Sequence, residues 1–257
     1  MRYAIVTKDD DDSVQMGYLV KKKLNYDYDE ENPEMVIAIG GDGTTLRAVH
    51  QYENIVDKII IFSIHTGHLG FFSSYEVDEL AQMMEQIHNN DIKYDEYHLL
   101  HYKIETQHGI VKEGLALNEV TIINPTRTLL LDVSVDGNHF ELFRGTGMCL
   151  STPSGSTGYN KSLQGSVISQ KLNAFQMTEI ASINSNMYHT LAAPLVLSSE
   201  EVVKLSSEEN REVWITVDSN YMSYTDFRSL EVTISQKTVK LAHQGITHLE
   251  RVRKNFI

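Results

Sequence analysis

Apolar residues in the first third of the chain fall into two alternating patterns. Arg2–Thr7 and Glu34–Ile39 read as short strands, and Lys58–Ser63 (KIIIFS) is a continuous β-branched run suited to a buried parallel strand. Val77, Leu80, Met84 and Ile87 recur at three- and four-residue spacing, which predicts one face of a helix. Strands alternating with helices imply a parallel sheet with covered faces. From about residue 95 the period becomes two. Leu129–Val135 and His139–Phe143 flank Asp136-Gly137-Asn138, a hairpin signal. Val213, Ile215 and Val217 alternate with polar neighbours, as do Leu230, Val232 and Ile234, so each set predicts a strand buried on one face. Helices are expected after Tyr159 and around Lys171–Ile183. The tail returns to helical spacing, with Leu249, Val252 and Phe256 on one side. The fold class expected is α/β plus all-β.

Composition narrows the setting. The 257 residues carry 41% hydrophobic and 22% charged side chains, ordinary for a soluble globular protein. No stretch approaches the roughly 20 apolar residues that span a bilayer. Met1–Asp12 has one Arg, a short apolar stretch and four aspartates, and does not read as a signal peptide. A single cysteine, Cys149, leaves no internal disulfide framework and suggests the reducing cytoplasm. The formal charge of -13 argues against nucleic acid as a general partner. It also requires that any bound phosphate be held locally, by backbone N–H groups and a few cations.

Three segments carry candidate chemistry. Gly40-Gly41-Asp42-Gly43-Thr44 follows an apolar strand and precedes a helix. Glycines there let a phosphate approach the backbone, and the helix start offers unpaired N–H donors. The Asp42 carboxylate would repel that phosphate, so it is either a base taking a proton from an attacking hydroxyl or merely a helix cap. Ser151–Ser162 (STPSGSTGYNKS) packs hydroxyls, two glycines and an aromatic between a strand and a helix. It reads either as a surface for sugars and base edges or as a solvated Ser/Thr loop. Leu117-Asn118-Glu119 sets an amide beside a carboxylate, a pair suited to a ribose diol and equally plain at a strand edge. His65 and His68 sit three apart without a third or fourth ligand, so they read as loop residues and no protein metal ligand is named.

Taken together, GGDGT, HTGHLGF (His65–Phe71), LNE, FRGTG (Phe143–Gly147) and STPSGSTGYNKS, in this order, resemble the NAD kinase family, in particular its short bacterial members. The resemblance runs from Met35 to at least Asp218. It implies a Rossmann-like parallel-sheet domain over residues 1–95, to which a tail of about 243–257 returns, and a β-rich NAD-binding sandwich over 96–242. It further implies transfer of the γ-phosphate of ATP, accompanied by Mg²⁺ or another divalent cation, to the adenosine ribose 2'-hydroxyl of NAD. Asp42 would be the general base, with Gly41 and Gly43 leaving room for the nucleotide. Phe71 and Phe72 would pack near the adenosine, and Asn118, Glu119 and Arg144 would serve the sugar and diphosphate. Ser154, Thr157 and Tyr159 would hold the adenine end, Ser162 would add a hydroxyl contact, and Gly158, Asn160 and Lys161 would belong to the same nucleotide-binding segment. Asp218 would add a nucleotide contact. Ala181 matches a position that a neighbouring subunit presents in the family, which implies a homotetramer with sites at subunit interfaces.

The chain departs from the family pattern at a few places. Thr146 stands where an acidic residue usually reaches the nicotinamide end, and it has no charge to oppose a pyridinium. Reduced discrimination between NAD and NADH is the expected consequence. Gly158 replaces a usual alanine, Gln164-Gly165 a Gly-Gly pair, and Ser219 a common histidine or glycine. The competing readings are a lipid kinase of the diacylglycerol or sphingosine type, which shares GGDGT, and a non-catalytic nucleotide-binding regulator. A lipid kinase calls for a basic, membrane-facing surface, which the acidic charge does not favour.

Overall fold

The apolar runs at the start of the chain become strands that lie side by side in parallel. A computed structural model describes residues 1–67, 70–186, 189–209, 211–246 and 248–257. The order begins β1 (Arg2–Thr7), α1 (Asp11–Lys23), β2 (Asp27–Tyr28), β3 (Met35–Gly40), α2 (Asp42–Gln51), β4 (Ile60–His65), β5 (Tyr75–Glu76) and α3 (Leu80–His88). There follow β6 (Tyr94–Thr106), β7 (Val111–Ala116), β8 (Glu119–Ile123), β9 (Leu129–Val135), β10 (Asn138–Gly145) and β11 (Gly147–Ser151). After α4 (Tyr159–Ser162) come β12 (Ala174–Ile180), β13 (Leu195–Ser198), β14 (Val203–Ser206), β15 (Val213–Val217), β16 (Asn220–Tyr224), β17 (Phe227–Ala242) and α5 (His248–Phe256). The chain divides into two compact units, Met1–Tyr97 with Lys237–Ile257, and His98–Gln236.

In the first unit the strands run parallel in the order β4-β3-β1-β2, with β5 and the end of β17 beside β4. β3 is buried at every position, as a central strand covered on both faces must be. Asp10 caps α1 by accepting from the Ser13 N–H at 2.8 Å, and Lys21–Lys23 occupy the last turn, where cations suit the helix dipole. Tyr3, Val20, Ile37, Ile39, Phe62 and Ile64 form the core with Leu80, Met83 and Ile87 of α3. That corrects the expected helix face: Val77 precedes α3 and is exposed, Met84 is only partly covered, and Met83 points inward instead. The parallel register ends β1, β3 and β4 together, at Thr7, Gly40 and His65. Ligands of open α/β sheets gather at such carboxyl ends.

The second unit is antiparallel. One sheet holds β10, β9, β14 and β17 in that order, with β6 paired to β17 and β7; the other has the order β13-β12-β11-β8-β15-β16. Their inward side chains, among them Val120, Ile122, Leu131, Phe143, Leu150, Phe175, Val213, Ile215 and Leu230, form one core. The β9–β10 hairpin turns through Asp136 and Gly137 with φ of 51° and 75°, the left-handed pair that a two-residue turn requires.

Two expectations fail here. The helix expected around Lys171–Ile183 is instead β12, paired between β11 and β13. Phe175 and Met177 enter the core while Gln176 and Thr178 are buried on the opposite face, so the alternation is confined to four residues and its polar members are as hidden as its apolar ones. The tail is helical, but Leu249 is 63% exposed and Phe256 41%, while Arg251 is buried at 5%. The helix following Tyr159 is present as the four-residue α4. Among the described residues no helix is long and apolar enough to cross a membrane.

Candidate active site

At the carboxyl ends of β1, β3 and β4 a cavity of about 710 Å³ is lined by Lys8, Asp10, Gly41, Gly43, Arg47 and Thr66, among others. Gly41 is the N-cap of α2, no side chain caps that helix, and a Cβ at Gly41 or Gly43 would meet no atom within 4 Å. The Thr44 N–H turns back onto the Gly41 carbonyl at 2.9 Å, while the glycine backbone at the helix start borders open space, as an anion site there requires. Asp42 does not cap α2. Its Oδ2 accepts the Phe71 N–H at 2.8 Å and its Oδ1 the Phe72 N–H at 3.0 Å. Gly70 is needed for this approach, because a Cβ there would run into the Asp42 carboxylate. Phe72 is buried with its ring edge-on to Tyr97 at 6.0 Å, and Phe71 is half-buried. Both thus serve Asp42 through their backbone, whatever their rings contact. His65 is buried and lies 3.8 Å from the Glu76 carboxylate; His68 lies outside the described residues.

Cations near the cavity are held in place. Lys8 pairs with Asp10 at 2.9 Å, and its ammonium, with the Ser13 N–H, keeps the Asp10 carboxyl down at about 2. Arg47 donates to the Thr7 carbonyl and sits 3.8 Å from Asp9. Sequence reasoning singled out neither cation. The signal available was position, since Lys8 directly follows a strand and Arg47 lies on the first turns of the helix after GGDGT.

In the second unit the predicted residues fall into two sets. Asn118 directly precedes β8 and Glu119 opens it, and the Ser154 hydroxyl donates toward the Leu117 carbonyl at 3.4 Å and Asn118 Oδ1 at 3.5 Å, so LNE and STPSGSTGY meet. Gly158 lies over them: a Cβ there would stand 3.6 Å from Glu119 Oε2. That oxygen is sealed from solvent and has no hydrogen-bond partner among the described residues. Burial, with the Asp218 carboxylate next, pushes Glu119 up to about 8. Tyr159 is 44% exposed beside this group, and Lys161, Ser162 and Arg144 are exposed as well. Burial also raises the Tyr159 phenol.

The other set is turned toward the protein. Thr157 donates to the Ser154 carbonyl at 3.0 Å, and fully buried Asn160 accepts from Thr178 at 2.7 Å. Asp218, in the β15–β16 turn with φ of 51°, accepts the N–H groups of Leu117, Asn118 and Glu119 at 3.0, 2.7 and 3.2 Å. Thr146 bridges two strand ends, its N–H on the Ile180 carbonyl at 2.9 Å and its carbonyl receiving the Asn124 N–H at 3.0 Å. Ala181 follows β12 exposed, with φ of 47°.

Comparison with known proteins settles the family. Residues 14–92 match the model of the ATP-NAD kinase N-terminal domain and 117–244 that of the C-terminal domain. An NAD kinase of Lysinibacillus sphaericus is 38% identical over 261 residues, covering 100% of this chain and 99% of that protein. An NAD kinase of Staphylococcus aureus is 39% identical over 266 residues, covering 100% and 98%. The chain belongs to the NAD kinase family. It is therefore an ATP-dependent kinase of NAD, and neither the lipid kinase nor the non-catalytic regulator is favoured. The fold agrees with two solved structures. A yeast NADH kinase complexed with NADH gives a TM-score of 0.84 at 18% identity, over 99% of this chain and 86% of that one. An NAD kinase from Archaeoglobus fulgidus in complex with ATP gives 0.77 at 22%, over 100% and 97%.

Proposed function

We propose that this chain transfers the γ-phosphoryl group of ATP to the 2'-hydroxyl of the adenosine ribose of NAD, with Asp42 as the general base. The new bond joins the 2'-oxygen to the γ-phosphorus as the bond from that phosphorus to the bridging oxygen breaks. The hydroxyl proton goes to Asp42, and ADP leaves. Such a transfer rests chiefly on positioning and neutralisation of charge. The observation that carries the proposal is the Asp42 carboxylate itself, held by two backbone N–H groups at the head of α2, between the two glycines that line the cavity. Mg²⁺ arrives as part of the ATP substrate and offsets phosphate charge that an acidic chain cannot.

The α/β part, residues 1–95 with 243–257, supplies the base and phosphate cradle in this reading, and residues 96–242 hold the dinucleotide. Asn118, Glu119 and Ser154 take the sugar, while Gly158, Tyr159, Lys161, Ser162 and Arg144 offer surface to the rest. Asp218, Thr157 and Asn160 act by holding that surface in shape. Thr146 brings no charge to the nicotinamide end, so NAD and NADH serve as acceptors with similar efficiency. Ala181, exposed at the end of β12, is offered to a neighbouring subunit of a homotetramer. The buried lone thiol fits a reducing cytoplasm.

The test is turnover of Asp42→Asn with Mg-ATP and either NAD or NADH, alongside titration calorimetry of NAD. Loss of a general base costs about 10²–10⁴ in rate. A drop in kcat of that size with NAD affinity within about threefold is expected; an Asn variant that turns over like the parent would sink the assignment of Asp42.

A further inference from the structure

The buried residue of α5 is an arginine, although the apolar spacing of the tail points elsewhere. A guanidinium cannot lose its proton and is buried at cost unless its donors are met. Arg251 meets two of them on one short segment: Nη1 donates to the Phe71 carbonyl and Nη2 to the Ser74 hydroxyl at 2.7 Å. Ser74 is in turn tied to β4, its N–H on the Ser63 carbonyl at 3.0 Å.

The Phe71 carbonyl belongs to the same peptide unit as the Phe72 N–H, which donates to Asp42 Oδ1 at 3.0 Å. That unit is planar and trans, so its C=O and N–H point in opposite directions. A grip on the oxygen fixes where the N–H aims. A positive charge on the oxygen also polarises the unit and strengthens its donor end. α5 adds a second hold, since Phe256 packs on the Phe71 ring with centroids 5.4 Å apart and His248 lies at 6.2 Å. Two hydrogen bonds thus lead from α5 to the carboxylate: guanidinium to carbonyl, then amide to Asp42.

We infer that Arg251 is a positioning residue for phosphoryl transfer, orienting Asp42 through the Phe71–Phe72 peptide unit. This rests on the reading of Asp42 as the base. A merely structural arginine would affect yield, melting temperature or both kinetic constants alike. A positioning arginine lowers kcat and leaves substrate binding intact, because the groups proposed to hold the dinucleotide lie elsewhere in the chain.

The experiment compares Arg251→Gln and Arg251→Lys in the full chain. It reads kcat and KM for NAD and Mg-ATP, NAD affinity by calorimetry, and folding by circular dichroism. Misplacement of a reacting group can cost about 100-fold, so Arg251→Gln should lose about 30- to 100-fold in kcat with each KM and the NAD affinity within about threefold. Lysine keeps the charge but lacks the fork that spans two acceptors, so Arg251→Lys should recover part of the rate and remain more than about threefold below the parent. Should the Gln variant not fold, the Lys variant alone carries the reading, on the same threshold. The inference is overturned if kcat of the folded variants stays within threefold of the parent, or if the loss appears in KM instead. Asp42→Asn runs beside them. If that variant loses its turnover while the folded arginine variants stay within threefold of the parent, only the role of Arg251 falls; if it turns over like the parent, the role of Asp42 falls and that of Arg251 with it.

Discussion

At the scale of single residues, Glu119 has the most testable environment. A glutamate in the unfolded chain titrates near 4.5, and burial raises this one to about 8 in the fold. Below pH 4.5 both states hold the proton. Between 4.5 and 8 the unfolded chain releases a proton that the folded chain keeps, so stability falls as pH rises through that window and levels off above it. Glu119→Gln removes the titration. Its melting temperature should therefore slope less than the parent's between pH 5 and 8 and lie above it at pH 8.5. Identical slopes would mean that Glu119 ionises in the ordinary range. The neutral acid has a further consequence at neutral pH, because it can donate a hydrogen bond to a sugar oxygen where a carboxylate could only accept. Sequence motifs pointed to Asn118, Glu119 and Asp42 because amides, carboxylates and glycines at those spacings suit one chemistry. They could not show that Asp218 spends its carboxylate on three backbone N–H groups, since that depends on a turn brought from about a hundred residues away.

At the scale of elements, that turn fastens the start of β8 to the β15–β16 connection. Asp218→Asn tests the fastening cleanly, because asparagine also tolerates the left-handed backbone at this position. The amide would set an N–H₂ group against N–H donors. A loss of about 1–3 kcal/mol is expected by urea unfolding, with KM for NAD raised several-fold and kcat less affected. An unchanged KM would show that Asn118 and Glu119 keep their places without it. The elements themselves were legible where burial is one-sided. β15 and β17 announce themselves through alternation of Val213, Ile215 and Val217, and of Leu230, Val232 and Ile234. β12 alternates only over residues 175–178 before Glu179 breaks the period, and its Gln176 and Thr178 are as hidden as Phe175 and Met177. Pattern alone cannot tell a strand covered on both sides from a helix of similar polarity. α5 misleads in the other direction: Leu249 and Phe256 mark a helix correctly but not its buried side, because Arg251 is drawn in by two oxygen acceptors rather than by apolar contact.

At the scale of the whole molecule, an acidic chain binds two anionic nucleotides, and the net charge of -13 works against their approach. The proposed cradle would offset this locally, through the start of α2 with Lys8 and Arg47 on the same cavity wall. Each unit also has a core of its own, and the second also buries the chain's one sulfhydryl, on the face of β11 opposite the core residues Met148 and Leu150. Cys149 sits on β11 between β8 and β12, wholly buried, and burial raises its thiol well above the ordinary range. A thiol reagent added to the native enzyme therefore finds nothing to modify until those strands part. Its labelling rate, followed by mass spectrometry across a urea series, becomes a stopwatch for the opening of that sheet. Prompt labelling without urea would mean that the strands separate far more often than their burial implies.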